Sequence, residues 1–185
     1  AKDCHYGYRQ SIFKEELWCK YAITHVTFRL SKIFTPKLQY GGLVKAIEDA
    51  GLTENTLSAN ELRDVIINIR RTKLPDPAEQ GNAGSFFKNP IVPASKSEAL
   101  QKEFPTMPSY PAQEGKVKLA AGWLIEQAGW KGKSLGAAAV HDRQALVLVN
   151  KGGATGQDIY RLCQAVRNAV SERFGIMLET EVNLL

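Results

Sequence analysis

Two interleaved sets of residues alternate along the stretch YAITHVTFRL, with Ala22, Thr24, Val26 and Phe28 in one set and Ile23, His25, Thr27 and Arg29 in the other. A period of two marks a strand with one face buried. The first thirty residues, which hold a second strand-like stretch, are therefore expected to be β-rich. From Gly41 to Arg71 the period changes to three and four. Leu43, Ile47 and Ala50 form one such series and Leu62, Ile66 and Ile69 another, so two helices are expected, separated by the polar TENTLSAN. Ser58 or Asn60 is placed to cap the second. The segment TKLPDPAEQGNAGS then brings Pro75, Pro77, Gly81 and Gly84 close together, which predicts an irregular loop and a domain boundary.

Beyond the loop, SKSEALQKEF reads as a helix with Ser95 or Ser97 near its start, and KLAAGWLIEQAGW as another, closed by Gly129. QALVLVN reads as a strand. The segment GATGQDIYRLCQAVRNAVSERFG places Ile159, Leu162, Val166 and Val170 on one helical face and stops at Gly175, after which IMLETEV looks extended. Trp123 and Trp130 lie seven residues apart, two turns along one helical face, which favours core packing over base stacking. The sum is an α+β chain without internal repeats.

Composition narrows the class. With 185 residues, 44% hydrophobic and 23% charged, the chain can bury one good core or two small ones, and disorder is not expected. Cys4, Cys19 and Cys163 are odd in number and lack metal-type or CxxC spacing, which points to free thiols in a reducing compartment, no metal site and a cytoplasmic protein. The opening AKDCHYGYRQ lacks a signal-peptide core, and no apolar run approaches the roughly 18 residues of a membrane span. The net charge of +5 admits an anionic partner. Phosphate-bearing small molecules satisfy that as well as nucleic acid, and the Lys/Arg stripe with interleaved aromatics that nucleic acid binding calls for is missing.

The string with most chemistry is GNAGSFFKNP, Gly81 to Pro90, just after KLPDP and followed by KLAAGWLIEQAGWKGKSLGAAAVHDRQALVLVN. On their own, these residues place the Ser85 hydroxyl in a flexible loop against the apolar Phe86 and Phe87. An isolated serine there reads as a turn or cap residue. Taken with YGYRQSIFK near the start and LETEV at the end, the chain resembles the UDP-N-acetylenolpyruvoylglucosamine reductase (MurB) family, in its C-terminal part, over nearly the whole length. That resemblance implies the second half of a FAD-binding α+β domain of the vanillyl-alcohol-oxidase-like type, followed by an α/β substrate-binding domain of the MurB C-terminal type. The expected divisions are residues 1–72 for the partial FAD-binding domain with a substrate lid loop, 73–175 for the UDP-sugar domain, and 176–185 for a terminal strand returning to the FAD-binding side.

The resemblance also assigns roles. Ser85 takes the place of the proton donor to the substrate carbon beside the carboxylate, and Arg9 and Glu181 complete the catalytic set. A hydroxyl is a poor acid, so its neighbours must lower the cost of a transient alkoxide. Hydride addition to an enolpyruvyl group pushes charge onto its carboxylate, which an arginine fork such as Arg9 can bind in a bidentate manner. Glu181 would be repelled there if ionised, so it is expected to hydrogen-bond as the neutral acid or to orient Arg9 or a water. Lys73, Asn89, Tyr110, Lys118 and Gln144 match positions used for the UDP moiety, where lysine meets phosphate and an amide pairs with uracil. Tyr40 matches a lid tyrosine, with Gly41 and Gly42 beside it for backbone freedom. Lys88 and Lys116 read as plain surface charge, and His141, in AAAVHDR, as a structural histidine beside a strand.

The family's cofactors are FAD, held mainly by an N-terminal region that precedes the part matched here, and NADPH as hydride donor. The partner implied is a small-molecule UDP-sugar, with neither nucleic acid nor membrane. The chain is expected to be a fragment, inactive alone, whose other partner is its own missing N-terminal region. A catalytically silent UDP-sugar binding module is the rival reading. Asn183 departs from the arginine expected two residues after the glutamate, and the stretch between Tyr40 and Lys73 is longer than usual.

Overall fold

The computed structural model describes residues 2–39 and 42–184. The chain divides into two compact units, Ala1–Ile69 and Arg70–Leu185.

The first unit holds short 3-10 turns at Lys2–Cys4 and Ile12–Lys14, helix α1 (Leu43–Asp49) and most of helix α2 (Ala59–Lys73). Leu43 and Ile47 of α1, Val65 of α2 and Leu57 from the segment between them are buried in one cluster, with Leu62 and Ile69 partly buried against it. The spacing of α2 is corrected by one position, since Val65 faces inward and Ile66 is 38% exposed, and Ala50, just past the end of α1, is exposed as well. Ser58 caps α2. Its Oγ accepts the Glu61 backbone N–H at 3.2 Å while the Glu61 carboxylate accepts the Ser58 N–H at 2.8 Å, a reciprocal pair that satisfies two donors at the helix start.

The β-rich start is not found. Among the described residues of this unit there is no ladder strand, only an isolated bridge between Gly7 and Gln10. YAITHVTFRL is irregular, with Phe28 76% and Leu30 82% exposed. Alternation describes a strand that has a neighbour, and no described segment of this unit lies alongside to complete the ladder.

The second unit is built on two antiparallel sheets. One orders strands β1 (Asn82–Ser85), β7 (Val147–Asn150), β6 (Ala138–Val140) and β5 (Ser134–Leu135) side by side. The other orders β2 (Ile91–Pro93), β4 (Lys116–Leu119) and β3 (Ser109–Pro111). Helices α3 (Ala94–Glu103), α4 (Ala121–Gln127) and α5 (Gly156–Phe174) complete it. Segregated helices with antiparallel sheets make this an α+β arrangement. The loop expected over 72–85 is shorter than the prolines suggest, because α2 runs to Lys73 and β1 occupies the last four residues.

One core joins the layers. Leu162, Val166 and Val170, on the face of α5 read from their spacing, are fully buried against Leu124, Ile125 and Leu148. Phe104 packs edge on against Trp123 and Phe174, whose own rings are tilted by 48° to each other, with centroids 5.2 to 5.9 Å apart. Trp130 also packs on this core, but from beyond the end of α4, since the chain turns at Gly129 before reaching it. The shared helical face expected for the two tryptophans is therefore corrected to a helix residue and a loop residue meeting the same core.

Helix α5 is capped at both ends. The Thr155 hydroxyl accepts the Asp158 N–H at 3.2 Å, the Asp158 carboxylate accepts the Thr155 N–H at 2.9 Å, and Gly175 closes the helix at φ +61° with its N–H on the Ser171 carbonyl. The chain then runs back along Phe86–Lys88. The expected terminal strand reduces to a single bridge between Phe87 and Thr180, flanked by hydrogen bonds from Lys88 N to Glu179 O (2.9 Å) and from Glu181 N to Phe86 O (2.8 Å). A backbone so short of ladder partners stays extended without forming a sheet.

Candidate functional site

Ser85 ends strand β1 at a bulge. Asn82 pairs with Val149 and Ser85 with Val147, so three steps on β1 meet two on β7. Gly84 absorbs the extra residue at φ +69°, a left-handed conformation costly for any side chain but glycine's, and its N–H is held by Asn82 Oδ1 at 2.9 Å. A bulge changes which way the following side chain faces, here Ser85. Immediately after it, Phe86 donates its N–H to the Leu146 carbonyl at 2.7 Å, and the Phe86 and Phe87 rings, 5.4 Å apart, go into the core. The half-buried serine thus stands at the edge of an apolar floor.

Other candidates assemble around this segment through direct bonds. Glu181 is tied to Phe86, one residue from Ser85. Asn89 accepts the Ala121 N–H on its Oδ1 at 2.9 Å, satisfying a free donor at the start of α4. Gln144 Oε1 accepts the Leu146 N–H at 3.4 Å and lies 3.5 Å from where a Cβ on Gly122 would stand, so the amide sits against the first turn of the same helix. Ser85, Asn89, Gln144 and Glu181, spread over 97 positions of sequence, are brought into one neighbourhood by the β1–β7 pairing and the returning C-terminal segment.

Lys118 and Tyr110 are direct partners across β4 and β3, and the Lys118 ammonium lies 5.8 Å from the centroid of the Tyr110 ring, which is 48% exposed. Strand β4 leads straight into α4, and Leu119 bonds back to the Pro90 carbonyl beside Asn89. The pair is therefore continuous with the Asn89 end of the cluster. Lys73 is the last residue of α2 and exposed. It is joined to the cluster through the neighbouring Thr72, whose carbonyl accepts Arg143 Nη1 at 2.7 Å. Arg9 belongs to the first unit, at φ +56°, with its guanidinium 5.5 Å from the Tyr8 ring centroid and its carbonyl accepting from Lys14. Tyr40 and Gly41 lie outside the described residues. Asn183 is exposed.

The bland readings of the two remaining lysines and of the histidine meet mixed outcomes. Lys88 is ion-paired with Glu179 at 3.1 Å, while Lys116 is simply exposed. His141 is buried, its Nδ1 accepting two backbone N–H groups.

A cleft that the sequence did not foretell, of about 860 Å³, opens beside β1, lined among others by Arg70, Arg71, Asp76, Gly84, His141 and Arg143. Its three guanidinium groups come from the end of α2 and from the β6–β7 loop. The Arg-Arg pair in IRRTK was the available signal, and Arg143, more than seventy positions later, gave none. Among the described residues no group of three or more His, Cys, Asp or Glu could hold a metal, and no helix is long and apolar enough to cross a membrane.

Comparison with known proteins agrees with this architecture. The profile of the UDP-N-acetylenolpyruvoylglucosamine reductase C-terminal domain matches residues 76–185. Proteins named UDP-N-acetylenolpyruvoylglucosamine reductase from Burkholderia ambifaria, Burkholderia multivorans and Burkholderia vietnamiensis are each 51% identical over 181 residues, which is 98% of this chain and 52% of each relative. The chain thus spans about half the length of the relatives it matches. It belongs to the UDP-N-acetylenolpyruvoylglucosamine reductase family, and its second unit carries that family's C-terminal domain.

Proposed function

We propose that these residues form the substrate-binding and proton-donating part of a cytoplasmic UDP-N-acetylmuramate dehydrogenase, which reduces UDP-N-acetylglucosamine enolpyruvate to UDP-N-acetylmuramate for peptidoglycan synthesis with FAD and NADPH. The observation that carries the reading is the gathering of Ser85, Asn89, Gln144 and Glu181 around one backbone junction, in a chain of this family.

Ser85 acts as proton donor to the carbon beside the substrate carboxylate. Its bulged position at the rim of the Phe86–Phe87 floor supports this, because an apolar wall excludes water and strengthens whatever polar interactions share the alkoxide's charge. Arg9 binds the carboxylate as charge develops on it, and Glu181 acts with them. Lys73 and Lys118 serve the diphosphate as point charges, Gln144 offers uracil both a donor and an acceptor, Asn89 and Tyr110 complete the nucleotide site, and Tyr40 closes over it. The cleft beside Gly84 adjoins Ser85, and its three arginines outnumber the Asp76 and Glu79 carboxylates in the lining, which leaves it net positive for an anionic group. When bound, FAD supplies the hydride it has received from NADPH.

A second reading, a UDP-sugar binding module without turnover, has its own support. Tyr21, Ile23, Val26, Phe28, Leu30 and Ile33 are all exposed in the first unit, an apolar stretch suited to a partner segment such as the N-terminal FAD-binding region, of which residues 1–72 would be the complement. On this view the 185-residue chain alone binds little FAD. Intact mass and the flavin spectrum between about 350 and 500 nm separate the two. In flavin-loaded protein, Ser85→Ala should leave reduction by NADPH nearly intact and stall reduction of the UDP-sugar. Equal loss of both half-reactions would refute the role given to Ser85.

A further inference from the structure

The loop between β6 and β7 is organised around a buried imidazole. His141 is 6% exposed, and its Nδ1 accepts the backbone N–H of Arg143 at 3.3 Å and of Gln144 at 3.2 Å. The His141 backbone N–H donates to the Val147 carbonyl at 2.9 Å, and the Gln144 carbonyl accepts the Val147 N–H at 3.0 Å. A ring nitrogen that accepts from two N–H groups carries no proton, so the proton resides on Nε2, which faces the exposed Asp142 carboxylate at 3.4 Å. The imidazole does for this loop what a carbonyl oxygen does for an ordinary turn. It takes up two donors that would otherwise be unpaired, and in doing so it fixes the backbone from which the Gln144 side chain departs.

The effect of this fixing is visible in the Gln144 side chain. Its amide is held between the Leu146 N–H and the first turn of α4, beside Gly122. A small rotation of the Gln144 backbone would carry the amide into that helix or away from it. The side chain has two orientations that hydrogen bonding alone barely distinguishes, and recognition of a base edge needs one of them.

We propose that His141 is a positioning residue for nucleotide recognition: its Nδ1 acceptor holds Gln144 in the orientation that reads the base of a uridine diphosphate group. The inference rests on the role of Gln144 as a base-binding amide, and it assigns His141 no contact with substrate or with the reacting atoms.

Asparagine places its Oδ1 the same number of bonds from the backbone as the histidine Nδ1, whereas leucine fills the space without an acceptor. UDP is titrated calorimetrically into wild-type protein and into the Gln144→Ala, His141→Leu and His141→Asn variants, and the Gln144 side-chain amide resonances are recorded for each His141 variant. The expected result is that His141→Leu weakens UDP binding on the order of tenfold, as two part-buried donors lose their acceptor, and shifts the amide resonances, while His141→Asn restores both nearly to wild type. Should His141→Leu fail to fold, His141→Gln, whose acceptor lies one bond too far out, takes its place. Wild-type affinity in the acceptor-less variant overturns the proposal, as does an Asn variant no better than it. Loss of stability with unchanged UDP affinity and amide shifts gives His141 a structural role alone and overturns it too. Undiminished binding by Gln144→Ala removes the base-binding role itself, whatever the His141 variants do.

Discussion

The backbone N–H of Glu181 donates to the carbonyl oxygen of Phe86 at 2.8 Å, so a residue near the end of the chain is held one position from Ser85. The bond is main-chain on both sides and therefore indifferent to the Glu181 side chain, which separates position from chemistry. Glu181→Pro removes the donor and should cost about 1–3 kcal/mol of stability by urea denaturation, the penalty of an orphaned buried acceptor and a restricted backbone. Glu181→Gln should leave stability within about 0.5 kcal/mol while altering only turnover. Equal destabilisation by both would show that the side chain, not the backbone bond, secures the segment.

Ser85 and Phe87 invite the opposite comparison. Phe87 is 1% exposed at the centre of the core, and Phe87→Ala should lose about 3–5 kcal/mol through its cavity and lost burial. Ser85→Ala removes one half-buried hydroxyl and should change stability by no more than about 0.5 kcal/mol, yet lower substrate reduction by about 10²- to 10⁴-fold if Ser85 is the proton donor. Thermal unfolding and single-turnover kinetics on the same preparations test both statements together.

Asn89 has one duty seen in the structure and one proposed for it, and mutagenesis can part them. As the acceptor for Ala121 N–H it stabilises the start of α4, so Asn89→Ala should cost about 0.5–2 kcal/mol. Asn89→Asp keeps the acceptor and adds negative charge at a helix start, so stability should be retained, while affinity for an anionic diphosphate should fall. Calorimetric titration with UDP beside urea unfolding reads the two effects apart.

The Thr155 hydroxyl and then the Thr155 N–H hold the Asp158 carboxyl below its ordinary value of 3.8, helped by the charge of Arg161. A carboxylate whose folded pKa is depressed binds fewer protons than in the unfolded chain. Its stabilising effect is therefore present in full above the unfolded value and fades as pH falls through the folded one. Between neutral pH and about pH 5 the wild type should be more stable than Asp158→Asn by a constant margin that shrinks below about pH 4. A margin that persists into strong acid would mean that the capping hydrogen bonds, rather than ionisation, account for it.

The face and the end of helix α5 are legible in the sequence, because Leu162, Val166 and Val170 mark the one and Gly175 the other within local reach, whereas its Thr155–Asp158 cap is a finding of the structure. Ser58 at the start of α2 is legible in the sequence too. YAITHVTFRL could not be read this way, since alternation gives the strand's own half of a ladder and is silent about who supplies the other. Trp130 misled for a related reason: a spacing of seven counts only while the helix continues, and Gly129 ends it. In the site, composition alone reads Ser85 as a turn or cap residue, and only the resemblance of GNAGSFFKNP to the reductase family marks it as a candidate. That Asn89 caps a helix 32 residues away, that His141 fastens Gln144, and that Arg143 meets the Arg70–Arg71 turn are facts of assembly, which no local pattern encodes.

Because α5 is sealed at both ends, its length behaves as a ruler for the C-terminal segment. Its 19 residues span about 28 Å at 1.5 Å per residue, and each residue also turns the exit by about 100°. An insertion or deletion of a single residue within it would slide Glu179 and Glu181 along Phe86–Lys88 and swing them off that segment altogether. Length variation is therefore intolerable in this helix, yet costs little in the exposed Lys151–Gly153 turn just before it, and a library of one-residue insertions should map that contrast sharply along the sequence.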